Sequence, residues 1–180
     1  PNINHFATQG SSGGPVGMIN VNFIREVDFY AGAFPANRGN ALSSIIEFKQ
    51  IEGNDEGLKG TFMLGSSDAG ITLDGPIGDK STFILSARQS YLQLLFKAIG
   101  LPFLPTYNDF QYKQTIKVND KNRITIVGLG AVDDFTLNTS ANDGLEDEEI
   151  IRRNNYILGN LPVNTQWNYT VGANWKHFGT

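Results

Sequence analysis

The chain has 180 residues, with 14 Lys and Arg against 18 Asp and Glu and a formal net charge of −4, so it carries no basic footprint for nucleic acid. It contains no cysteine, which excludes disulfides, thiolate metal sites and cysteine nucleophiles together. No run of about 18 apolar residues occurs, which excludes a transmembrane helix but not a β-barrel, whose strands need only about 10 residues each. The mean hydropathy of −0.23 fits a barrel as well as a soluble protein. The 20 glycines and 12 phenylalanines point to a β-rich chain with many tight turns. A chain that starts at Pro1 without a charged-then-apolar leader is expected to be a processed product or a fragment.

The first stretch, 1–17, is rich in Asn, Gly, Ser and Pro and reads as an irregular loop. Strand-like segments follow at 18–22, 26–30 and 44–49. Between the last two lies 31–40, punctuated by Gly32, Pro35 and Gly39, where the glycines are expected to permit turns. Residues 51–56 read as a linker, after which amphipathic strands succeed one another. In the first, Leu58, Phe62 and Leu64 oppose Lys59, Thr61 and Met63. A short second strand spans 69–73. The third sets Phe83, Leu85, Ala87 and Tyr91 against Thr82, Ser86, Arg88 and Ser90, with Ile84 and Gln89 breaking the pattern. The fourth sets Phe110, Tyr112, Ile116 and Val118 against Gln111, Lys113, Thr115 and Lys117. The fifth, 123–132, is apolar on both faces and has no readable direction. The sixth, 165–176, alternates most cleanly: Trp167, Tyr169, Val171, Ala173 and Trp175 share one face, and polar residues or glycine the other. Aromatic rings at the ends with apolar residues between them suit a strand that crosses a bilayer, although a strand of a soluble sandwich also alternates.

The connections add to this. Residues 74–80 and 119–122 are compact turns, whereas 65–68, 92–109 and 133–164 read as longer loops, the last two especially. Alternation of short turns and long loops is the rhythm of outer-membrane barrels. Within the long loops, residues 91–99 are expected to form one or two helical turns whose apolar face, Leu92, Leu95, Phe96 and Ile99, packs against residues 101–105; the alternative is that Phe96, Phe103 or Tyr107 lines a substrate chamber. The cluster Asp143, Glu146, Asp147, Glu148 and Glu149 has oxygen ligands that suit calcium. It matches no EF-hand spacing and is followed by Arg152 and Arg153, so it reads as a solvated acidic loop.

The segment Ile24-Arg-Glu-Val-Asp-Phe-Tyr-Ala-Gly-Ala-Phe-Pro-Ala-Asn-Arg-Gly39, followed by Leu42-Ser-Ser-Ile-Ile-Glu-Phe48, resembles the end of the plug domain of TonB-dependent outer-membrane receptors. Residues 4–10 with Gly13-Gly-Pro15 look like the preceding loop in the SusC-like branch. Gly75-Pro-Ile-Gly-Asp-Lys80, Phe83 and Ser86-Ala-Arg88 look like an early barrel turn and strand. The resemblance covers essentially the whole chain, but only a piece of such a receptor, since a plugged transporter barrel has about 22 strands. It implies a mainly β fold in two parts: 1–52 as the C-terminal part of an α/β plug, and 53–180 as about six strands of a transmembrane antiparallel β-barrel.

The function implied is import of a bulky nutrient (glycan, peptide or metal chelate) across the outer membrane of a Gram-negative bacterium. The implied partners are the TonB-ExbB-ExbD energy-coupling complex, outer-membrane lipids and a surface lipoprotein, with no cofactor or metal. By region, the resemblance puts Asn4, His5, Phe6, Gln9, Tyr107 and Asn108 where substrate binds. Arg25, Glu26, Arg38 and Glu47 are candidates for latching the plug to luminal groups such as Lys59, Arg88 or Lys113, the other reading being ordinary solvated charges. His5 and His177 are the only histidines, and nothing in the sequence positions either beside Ser11 or Ser90, so no catalytic residue is assigned. The competing reading is a soluble all-β binding or adhesion module, in which Trp167 and Trp175 belong to the core.

Overall fold

The computed structural model describes residues 3–6, 14, 16–32 and 34–179. Two antiparallel sheets organise them. The smaller is a hairpin of β1 (Ile24–Tyr30) and β2 (Ile45–Gln50), in register at Val27 with Phe48 and at Asp28 with Glu47. The larger is a six-stranded meander in sequence order: β3 (Lys59–Leu64), β4 (Asp68–Pro76), β5 (Ser81–Ser90), β6 (Phe103–Asn119), β7 (Asn122–Leu137) and β8 (Gln166–His177). Two helices, α1 (Leu92–Ala98) and α2 (Glu148–Asn160), sit in the connections before β6 and β8.

The register gives the meander two unlike faces. Directly opposed residues share a face, so Trp167, Tyr169, Val171 and Trp175 lie beside Val132, Gly130, Gly128 and Ile124 of β7. Phe110, Tyr112 and Ile116 of β6 continue the row, then Ala87 and Leu85 of β5, Ile71 and Leu73 of β4, and Phe62 of β3. This apolar face is open: Phe62, Trp167, Tyr169, Val171 and Trp175 are each 66–72% exposed. On the opposite face, Thr72, Ser86, Asp109, Gln111, Lys113, Thr115 and Asp133 are buried, and Phe6, Asn20 and Ile51 of the N-terminal part bond to this face. The two tryptophans expected in the core of a soluble module are therefore at the surface.

β7 reads as apolar on both faces because both are used. Ile124, Ile126 and Val132 lie on the open face, while Val127, Leu129 and Ala131 lie on the covered one, where Ala131 is buried. Ile84 breaks the alternation of β5 for the same reason. It is on the covered face at 1% exposure, and Met18 and Phe23 of the N-terminal segment are also fully buried.

Several boundaries differ from those read in sequence. Residues 18–22 are not a strand: Asn20 caps a 3-10 turn at Val21–Phe23, its side chain accepting the Asn22 N–H, a local bond that competes with extended pairing. β6 begins at Phe103, so Pro105 lies inside a strand. The pairing with β5 ends at Asn108, leaving Pro105 on an edge, where a missing N–H is tolerated. The β3–β4 connection is short, because Gly65 N–H donates to the Asp68 carbonyl at 2.7 Å; within the meander, the long connections are those holding α1 and α2. The expected helical turns at 91–99 form α1. The acidic stretch forms the start of α2, where Asp147 accepts the N–H groups of Glu149 and Ile150 and Glu148 and Glu149 suit the positive helix end. Gly32 adopts φ +109°, as its turn requires, but after Gly39 it is Asn40 that takes the left-handed conformation, at φ 61°.

Candidate functional site

The N-terminal segment is fastened to the covered face by a charged cluster. The His5 ring stands between two strands, with Nδ1 2.6 Å from Asp133 Oδ1 on β7 and Nε2 3.0 Å from Asp109 Oδ2 on β6. A neutral imidazole has one N–H, so two carboxylates on opposite ring nitrogens select the imidazolium. Arg88 Nε also donates to Asp109 Oδ2, at 2.7 Å, and another guanidinium nitrogen reaches the Gly17 carbonyl. The second oxygen of Asp133 accepts the Phe6 N–H at 2.9 Å. The Tyr107 ring is tilted by 33° against the His5 ring, with centroids 4.4 Å apart, and lies under the Arg88 guanidinium. Two cations and two carboxylates thus balance, provided His5 is charged. Burial by itself lowers the His5 pKa, but hydrogen bonds and charge from Asp109 and Asp133 outweigh it and hold the pKa above the usual histidine value.

A second, uncharged set of contacts lies along the same face. Asn20 receives nothing from chance: its amide donates to Ser86 Oγ at 2.6 Å and Thr72 Oγ1 at 3.2 Å, and its backbone N–H donates to Gln111 Oε1 at 3.0 Å. Lys113 Nζ donates to the Ile51 carbonyl at 2.7 Å where the segment leaves β2. Gly53 passes so close to β5 that a Cβ there would come within 3.0 Å of three Phe83 backbone atoms.

Beside the charged cluster is a cavity of about 440 Å³. Its rings are Phe96 of α1, Phe103 of β6 and Phe135 of β7; Phe103 meets Phe96 edge-on at 5.5 Å and stacks on Phe135 at 5.6 Å. His5, Phe6, Tyr107 and Asp133 also line it.

Of the residues assigned to substrate by region, His5, Phe6 and Tyr107 come together at this cavity. Asn4 instead bridges to Gly17. Asn108 falls on the open face, opposite Gln89 and Val132, because a one-residue step from Tyr107 changes faces. Gln9 lies outside the described residues. Of the residues expected to latch the plug, Arg38 and Glu47 pair with each other at 2.6 Å, and Glu26 pairs with Lys49 across the hairpin at 3.2 Å. Arg25 sits at the irregularity that begins β1. Contacts to the large sheet are made instead by His5, Phe6, Gly17, Asn20, Asn22 and residues 51–53, with Glu52 adding an ion pair to Arg123 at 3.3 Å. Asp109 and Asp133 are hidden in the sequence because each stands at the edge of a segment that reads as a loop, whereas both lie within β6 and β7. Extending the alternation of Gln111, Lys113 and Thr115 by one step puts Asp109 on the covered face. Among the described residues, no group of three or more His, Asp or Glu is arranged to hold a metal ion.

No protein-family model, curated protein or solved structure matches this chain.

Proposed function

We propose that this chain is part of a TonB-dependent outer-membrane receptor that imports a bulky nutrient. Residues 1–52 are the end of its plug and 53–180 its early barrel strands. The observation that carries this reading is the inversion of the large sheet: its apolar face is open, while its charged and amide-bearing face is covered by the N-terminal segment. A water-soluble sheet buries the opposite face, whereas a barrel wall turns its apolar residues to lipid and its polar ones to the lumen. The aromatic ends of β8 and the polar fastening of residues 3–52 fit the same arrangement. In this reading, substrate binds on the outward side of plug and wall, and the coupling complex pulls on the plug to open a path.

Fractionation of native cells tests it, with an immunoblot against the exposed α2 region. A receptor with a plugged barrel of about 22 strands gives a band on the order of 100 kDa in the outer membrane. A band near the 19.7 kDa of this chain in a soluble fraction removes the proposal in favour of the soluble module.

A further inference from the structure

The polar face of the large sheet changes character at its loop end. Along β6 this face carries Asp109, Gln111, Lys113 and Thr115, all buried. Beyond Tyr107 the same alternation puts Pro105 and Phe103 on it, opposite Phe135 and Leu137 of β7. Phe103 and Phe135 stack there at 5.6 Å, and Phe96 of α1 meets Phe103 edge-on at 5.5 Å. The three rings stay half-buried around a cavity of about 440 Å³. Ligand cavities typically measure about 300–1,000 Å³ and are mostly apolar. A dry apolar space of roughly 150 Å³ already holds a benzene, so a substituted ring fits here.

The charged groups around the cavity are already engaged. Asp133 is bonded on both oxygens, to the His5 ring and to the Phe6 N–H, and the His5 imidazolium neutralises it. Both His5 nitrogens are taken in turn. Asp134 belongs to the opposite face of β7 and accepts from Thr165 at 2.6 Å. No Lys or Arg among the described residues lines the cavity. A charged group of either sign would be desolvated against the rings without a free counter-charge, which is costly. A sugar would set most of its hydroxyl groups against the same rings, unpaired.

We infer that this cavity binds an uncharged aromatic group carried by a larger ligand, and that it discriminates against charged aromatics of either sign and against sugars. Packed rings such as Phe103 and Phe135 leave outer faces and edges for a further ring. Asn164, also in the wall, has an amide that suits one neutral polar substituent. The inference rests on the receptor reading and deepens it by naming the substrate class: the imported nutrient carries an aryl group.

The test is saturation-transfer NMR on the purified full-length protein in detergent, with four probes: 2-phenylethanol, 2-phenylethylammonium, phenylacetate and glucose. The neutral alcohol is expected to bind about tenfold more tightly than either charged probe, the scale of one charge left without a partner. Glucose is expected not to bind. Phe103→Leu and Phe96→Leu each keep an apolar side chain but remove a ring, and each is expected to weaken 2-phenylethanol about fivefold. Phe96 lies on α1, which has no buried residue, so its substitution leaves the sheet intact. Thermal transitions matching the parent show that the variants fold.

Equal or tighter binding of either charged probe, binding of glucose, or no binding of 2-phenylethanol overturns the inference. So does a signal that both variants leave unchanged, which marks partition into detergent. Flotation with lipid vesicles separates the two proposals. A protein that floats but ignores 2-phenylethanol loses the cavity assignment alone, and one that binds it but does not float loses the receptor reading alone.

Discussion

The His5 ring and the Asp133 carboxylate lie 2.6 Å apart although 128 positions separate them. With Asp109 on the other ring nitrogen at 3.0 Å, this contact ties the N-terminal segment to two neighbouring strands of the large sheet. The fastening depends on a proton.

That proton makes the fastening pH-dependent. Asp109 and Asp133 raise the His5 pKa above its unfolded value despite burial. A raised folded pKa contributes stability that is complete below the unfolded value of about 6.5 and is lost as pH rises through the folded value. Arg88 faces Asp109 from β5. Limited proteolysis of the N-terminal segment is therefore expected to accelerate as pH rises above about 6.5. His5→Gln is expected to flatten the profile. An unchanged slope in that variant would assign the dependence to another group.

Asn20 satisfies Thr72 and Ser86 with one amide. Asn20→Ala leaves these buried hydroxyls without that partner and is expected to cost about 1–3 kcal/mol, measured by chemical denaturation. Ser86→Ala combined with Thr72→Val removes the sheet hydroxyls while leaving the Asn20 cap on the Asn22 N–H, and in that background Asn20→Ala is expected to cost much less. An undiminished cost would show that the turn cap, rather than the fastening to the sheet, sets the stability.

At Gly53 the backbone of residues 51–53 meets the backbone of Phe83. The obstructing atoms belong to a strand and have little freedom to move, so Gly53→Ala is expected to push the linker from the sheet and lower the thermal transition. Lys113, whose ammonium holds the adjoining Ile51 carbonyl, is expected to lose protection from chemical modification in that variant. Gly39, with open space around its Cα, is the control and should accept alanine without either effect.

Val171 and Thr170 are neighbours on β8 that lie on opposite faces. If the open face meets acyl chains, Val171→Lys costs about 2–4 kcal/mol near the middle of the bilayer, while Thr170→Lys, on the polar face, is expected to cost much less. Denaturation from lipid vesicles measures both. Trp167 and Trp175 should also be quenched by lipid-attached quenchers. Equal penalties together with no quenching would mean that the open face is not in lipid.

The sequence by itself determined the parts of this fold that are local. The alternation of Trp167 to Trp175 against Gln166 to Lys176 fixed which residues of β8 share a face, because successive side chains on a strand point to opposite sides. The same rule made β3, β5 and β6 legible, and the apolar side of residues 92–99 announced α1. Only the tertiary structure decided how the faces were used. β7 is apolar on both sides, so its direction awaited its pairing with Tyr112 and Val171 through Gly128. Ile84 departs from the alternation of β5 because the covered face buries it to 1% exposure, a demand that only packing sets. Arg38 and Glu47 looked as suited to fastening the segment as any charges in it, yet the hairpin brings them to each other. His5, Asp109 and Asp133 carry no mutual signal in sequence, since two of them lie on different strands and the third more than 100 positions away. A period of two is set by the bonds of adjacent residues, whereas a buried charge cluster exists only after distant segments have packed and excluded water.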